Sequence, residues 1–89
     1  MKFLHTMVRV KDIEKSLAFY TDVLNMKLDH KKRLEDCWLY FLTDEENTCQ
    51  IELTYNDETP EGGYELGSGF GHFAFSVDSL DEFTDKINK

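Results

Sequence analysis

At 89 residues, 40% hydrophobic and 31% charged, the chain is sized for one small globular domain; a domain this short buries only about 60% of its unfolded surface, so its stability is expected to lean on a partner chain, a metal or further residues. Ten basic against eighteen acidic residues give a net charge of -8, which repels phosphate backbones and anionic membranes and argues against nucleic acid or membrane as partners. Cys37 and Cys49 lack CxxC or zinc-knuckle spacing, and no apolar run approaches the about 18 residues of a membrane span or forms a secretory leader, so a reduced, cytoplasmic setting is expected.

Residues 3–10 alternate, with Leu4, Val8 and Val10 on one side and His5, Met7 and Arg9 on the other, which predicts a strand with one polar face. Asp12 then stands at an N-cap position before Ile13, Leu17, Tyr20 and Leu24 at helical spacing, and Asn25 suits a left-handed stop. Residues 26–32, 37–42 and 49–55 read as three more strands separated by polar breaks, so a meander follows the helix. Asp44-Glu45-Glu46 is read as a solvated hairpin tip and His30-Lys31-Lys32-Arg33 as a basic strand end. Trp38, Tyr40 and Phe41 are read as core or dimer-contact residues.

The only proline and four of the five glycines fall within residues 57–69, a predicted linker. Beyond it the opening recurs: His72-x4-Val77-x-Ser79-Leu80 matches His5-x4-Val10-x-Asp12-Ile13 at a constant offset of 67 positions. Phe73, Phe75 and Val77 alternate against His72, Ala74 and Ser76, and Ser79-x-x-Glu82 is a capping box before a helix carrying Leu80, Phe83 and Ile87. The organisation predicted is therefore a first βαβββ module over residues 1–56, a linker over 57–69, and the strand and helix that start a second module over 70–89. Completing that second copy takes about 40 more residues, so the chain is expected to be part of a longer one.

The chemistry lies on polar strand faces. His5 and Arg9 are four apart on one strand, Glu52 and Asn56 four apart on another, and even spacing keeps each pair on one face. Imidazole and carboxylate suit a borderline divalent metal such as Ni²⁺ or Zn²⁺, while Arg and Asn offer donors for a substrate carboxylate. His72 is the repeat-mate of His5, and the repeat-mate of Glu52 falls at position 119, beyond Lys89.

The blocks His5-Thr6-Met7-x-Arg9-Val10, Phe19-Tyr20-x-x-Val23-Leu24-x-Met26-Lys27-Leu28, Ile51-Glu52-Leu53-Thr54-Tyr55-Asn56, Tyr64-Glu65-Leu66-Gly67 and Gly71-His72-x-Ala74-x-Ser76-Val77-Asp78 closely resemble bacterial glyoxalase I, the lactoylglutathione lyase of the vicinal oxygen chelate superfamily. The resemblance covers nearly the whole chain. It implies an α+β fold of paired βαβββ modules of the glyoxalase/vicinal oxygen chelate type, the second module truncated after its helix. It also implies metal ligands at His5, Glu52 and His72, with Arg9 and Asn56 binding the γ-glutamyl end of glutathione. The fourth ligand, which doubles as the catalytic base, is a downstream Glu absent from these residues. The activity implied is metal-dependent isomerisation of the methylglyoxal-glutathione hemithioacetal to S-lactoylglutathione, in methylglyoxal detoxification, within a homodimer whose chains share each metal, Ni²⁺ favoured and Zn²⁺ possible. Two other readings fit the same residues: another vicinal oxygen chelate protein, such as a thiol transferase or epimerase, and an inactive metal- or thiol-binding fragment.

Overall fold

The alternation at the start of the chain becomes β1 (His5–Arg9), with Thr6 and Val8 half-buried and His5, Met7 and Arg9 exposed. This is a computed structural model, and it describes residues 1–88. Asp12 is extended (φ -123°, ψ 98°) and its carboxylate accepts from the Lys15 amide at 3.1 Å, capping α1 (Ile13–Ala18). The helix continues as a widened π-helical turn, Phe19–Val23, where the Thr21 hydroxyl donates to the Leu17 carbonyl at 2.7 Å and the Leu24 amide reaches back to Phe19. Asn25 ends it in the left-handed region at φ 57°, as its small polar side chain allows.

The meander follows as β2 (Lys27–Arg33), β3 (Cys37–Thr43) and β4 (Gln50–Asn56), each within about a residue of its sequence-derived limits. The sheet order is β1-β4-β3-β2, with β1 parallel to β4 and the remaining pairs antiparallel. The acidic run is the exposed β3–β4 tip; Asn47 takes φ 57° there, and the Asp44 carboxylate accepts from the Thr48 amide and hydroxyl. Those bonds, the Thr48 hydroxyl foremost, hold the Asp44 carboxyl below the usual carboxylate range.

Strand parity divides the sheet. Ile51 and Leu53 on β4 turn toward the helix and join Val10, Met26 and Leu42 in the buried core, against which Val8, Ile13, Leu17, Tyr20, Leu24, Tyr40 and Tyr55 pack. Gln50, Glu52, Thr54 and Asn56 therefore occupy the opposite face. Leu42 and Leu53 are fully buried, each stabilising the fold by about 1.5–3 kcal/mol through removal from water. Tyr40 joins this core as expected, while half-buried Trp38 lies beneath Lys31 and Arg33, their cationic groups 5.2 and 5.7 Å from the ring centroid. Beside it, Arg33 grips Asp57 through two bonds of 2.8 and 2.7 Å, fastening the end of β2 to the residue after β4.

The second unit departs from the sequence expectation. Its helix is present as α2 (Leu80–Ile87), with Ser79 as N-cap accepting from the Glu82 amide at 3.2 Å. The strand predicted over 70–77 is not formed: among the described residues, nothing between β4 and α2 pairs into the sheet. A strand exists by exchanging backbone bonds with a neighbour, and neither sheet edge, β1 or β2, takes this segment on. Phe73 alone packs on the core, with Phe70 against it at 5.1 Å between ring centroids. The Lys86 ammonium ties α2 to the first unit through Asn25 Oδ1 at 2.9 Å and the Val23 carbonyl at 3.3 Å. Lys89 lies outside the described residues.

Candidate functional site

The parallel register sets His5 beside Gln50, Met7 beside Glu52 and Arg9 beside Thr54. His5 and Glu52 are thus diagonal neighbours on the face away from the helix, and their side chains converge: His5 Nε2 stands 3.3 Å from Glu52 Oε1. The imidazole is 37% exposed and the carboxylate 13%. The other carboxylate oxygen, Oε2, accepts from the Thr54 hydroxyl at 3.0 Å, so the carboxylate plane is fixed from its own strand. Sequence reasoning passed over Thr54, although its position two residues after Glu52 on one strand face was the available signal.

Two donors bound to one ion at about 2.0–2.2 Å, at tetrahedral or octahedral angles, stand about 2.8–3.6 Å apart. The separation of 3.3 Å lies within that range, and one imidazole nitrogen with one carboxylate oxygen is a donor set that Ni²⁺ and Zn²⁺ both accept. The residues therefore fit a divalent ion as two of its ligands. No third His, Cys, Asp or Glu completes such a cluster among the described residues. His72 is exposed in the unpaired segment and does not join His5 and Glu52 within this chain.

Arg9 and Asn56 stand further along the same face, on β1 and β4. Arg9 is exposed. The Asn56 amide donates to the Tyr64 hydroxyl at 2.8 Å, which orients it; an Asn side chain carries a second N–H and an acceptor oxygen besides.

The Glyoxalase/Bleomycin resistance protein/Dioxygenase superfamily is matched over residues 2–89. The chain is 42% identical to the lactoylglutathione lyase of Escherichia coli O157:H7 over 94 aligned positions, covering 100% of this chain and 67% of that one. It is 40% identical to the lactoylglutathione lyase of Neisseria meningitidis serogroup A, covering 100% of this chain and 66% of that protein. Among solved structures, the trypanothione-dependent glyoxalase I of Leishmania major superposes with a TM-score of 0.83 at 32% identity, over 99% of this chain and 65% of its own. The chain belongs to this superfamily and, within it, to the glyoxalase I family, and it spans about two thirds of the length of those relatives.

Proposed function

We propose that the chain is a unit of a lactoylglutathione lyase, which isomerises the methylglyoxal-glutathione hemithioacetal to S-lactoylglutathione with a divalent metal and so detoxifies methylglyoxal. The convergence of His5 Nε2 and Glu52 Oε1 at 3.3 Å on the open sheet face carries the reading. These two side chains hold the ion from one half-site, and His72 of a second copy supplies a third ligand in a homodimer.

When bound, the ion supplies Lewis-acid polarisation of the substrate oxygens. The remaining roles belong to the chain. His5 and Glu52 fix where the reacting end sits, and Thr54 holds the Glu52 carboxylate in plane. Arg9 and Asn56 bind the γ-glutamyl end of glutathione, the guanidinium gripping the carboxylate and the Asn56 amide, already oriented by Tyr64, adding a donor. The base that moves the proton between adjacent carbons is a further Glu outside residues 1–89. Ni²⁺ is favoured by the resemblance to the bacterial glyoxalase I enzymes, and the donor set accepts Zn²⁺ equally well. No described helix is long and apolar enough to cross a membrane; the cytoplasmic setting belongs to this proposal and rests on the two thiols without CxxC spacing. Residues 1–56 constitute the first module, 57–69 the linker and 70–89 the start of the second.

The test is hemithioacetal isomerisation after reconstitution with Ni²⁺ or Zn²⁺, comparing the unaltered protein with Arg9→Ala and Asn56→Ala. Each variant should raise KM sharply while leaving metal content unchanged. Kinetics indifferent to both substitutions would remove Arg9 and Asn56 from glutathione binding, and no isomerisation by the metal-loaded protein would leave a metal-binding relative acting on another substrate.

A further inference from the structure

Beside the donor pair, on the same sheet face, lies an aromatic stack of His30 on Phe41. β2 pairs with β3 as Lys27 to Thr43 and Leu28 to Leu42, and then resumes as His30 to Phe41, leaving Asp29 as the extra residue of a bulge. An unbulged ladder pairs Asp29 with Phe41 and His30 with Tyr40, a residue packed on the helix-side core. The bulge therefore turns His30 onto the face that carries Glu52, which is itself the partner of Phe41 across β3 and β4.

Side-chain geometry uses that placement. The His30 ring lies flat on Phe41, with centroids 4.4 Å apart and planes 11° from parallel. Phe41 meets the His5 ring at 5.5 Å and 80°. The Asp29 carboxylate accepts from His30 Nδ1 at 2.6 Å, which pins the plane of the stacked ring. Four side chains from all four strands thus touch in sequence: His30 on Phe41, Phe41 on His5, and His5 Nε2 on Glu52. Edge-to-face and stacked aromatic contacts have preferred geometries, so a ring held on one side constrains the ring it meets.

We propose that His30 and Phe41 are positioning residues for the His5–Glu52 pair: the bulge at Asp29 delivers His30 against Phe41, and Phe41 fixes the plane of the His5 imidazole so that Nε2 faces Glu52. The inference rests on the reading of His5 and Glu52 as metal ligands. It assigns neither His30 nor Phe41 any contact with metal or substrate. Hydrogen-bonded partners that orient a ligand ring govern metal affinity by about ten- to a hundred-fold, and a ring that constrains the imidazole plane acts on the same orientation.

The test measures Ni²⁺ affinity of the full chain by chelator competition, with Ni²⁺ alone as the probe, alongside the thermal unfolding midpoint. His30→Leu and Phe41→Leu should each weaken binding by about ten-fold or more. His30→Phe, which keeps a flat ring on Phe41, should restore affinity. The His30 side chain is 53% exposed, so its replacements leave the core intact and an unchanged unfolding midpoint accompanies the lost affinity. Affinities of His30→Leu and Phe41→Leu within about two-fold of the unaltered chain, with His5→Ala strongly impaired, would overturn the positioning role and keep the ligands. Failure of His30→Phe to restore binding would overturn the stacking argument. Unimpaired binding by His5→Ala would strike the ligand assignment itself, and this proposal with it.

Discussion

Replacing Leu53 by Ala tests whether the core between the sheet and α1 holds the molecule together. Leu53 is 0% exposed and its cluster contains Val10, Met26, Leu42 and Ile51. Leu→Ala at such a site loses the transfer free energy of the removed atoms and leaves a cavity, together about 2–5 kcal/mol. A domain of this length has about 4–13 kcal/mol of stability in all, at about 0.05–0.15 kcal/mol per residue. At about 4–8 °C per kcal/mol, a loss of about 3 kcal/mol lowers Tm by about 12–24 °C. Leu66→Ala is the matched control: it removes the same atoms from a side chain that is 90% exposed, so the change stays within about 0.5 kcal/mol. Urea unfolding followed by circular dichroism reads both, with m unchanged if only the native state is affected. A loss below about 1 kcal/mol at Leu53, or an equal loss at Leu66, refutes the placement of stability in this core.

Three further outcomes follow from local chemistry. Asp57 is held below the usual carboxylate range by its hydrogen bonds from Arg33, so its contribution is complete above the ordinary carboxylate pKa and disappears as pH falls through the lowered one; Asp57→Asn should destabilise at neutral pH and cost nothing in strong acid, as read by denaturant midpoints across pH. Burial, reinforced by Asp36, pushes the Cys37 thiol up, whereas Cys49 is exposed, so iodoacetamide should label Cys49 faster than Cys37 by more than about ten-fold until the chain unfolds, as mass spectrometry would count. Asn25 sits at φ 57°; Asn25→Val should cost about 1–2 kcal/mol, while Asn25→Gly should stay within about 0.5 kcal/mol despite losing the exposed contact with Lys86, both measured by thermal unfolding.

The elements that were legible in sequence are those specified by local chemistry. Asp12 and Ser79 announce caps, Asn25 a left-handed stop, and the alternation of Ile51, Leu53 and Tyr55 against Glu52, Thr54 and Asn56 the division of β4 between core and open face. The pairing of His5 with Glu52 was half-legible: parity placed each on a polar face, but only the parallel register of β1 and β4 makes them neighbours. Two features were not legible because they depend on partners distant in sequence. The alternation of residues 70–77 satisfied every local criterion for a strand, yet strand formation needs an edge to receive it. The bulge at Asp29 is a property of two strands together, so the stacking of His30 on Phe41 beside His5 has no signature in the sequence of either strand alone.

The parallel pairing also accounts for the spacing of the proposed ligands and the proposed clamp. In a parallel pair the residues advance together, so the diagonal that joins His5 to Glu52, two residues beyond its partner Gln50, recurs four residues later between Arg9 and Asn56, two beyond Thr54. Four residues of strand separate the two diagonals by about 13 Å. An antiparallel pairing would carry Asn56 away from Arg9 as fast as it brought Glu52 toward His5. The bifunctional substrate proposed above, one end at the donor pair and an anionic end at Arg9 and Asn56, would be matched by the sheet register itself. Any change that slips β1 by one residue against β4 should abolish both sites at once, because parity would turn His5 and Arg9 together to the core face.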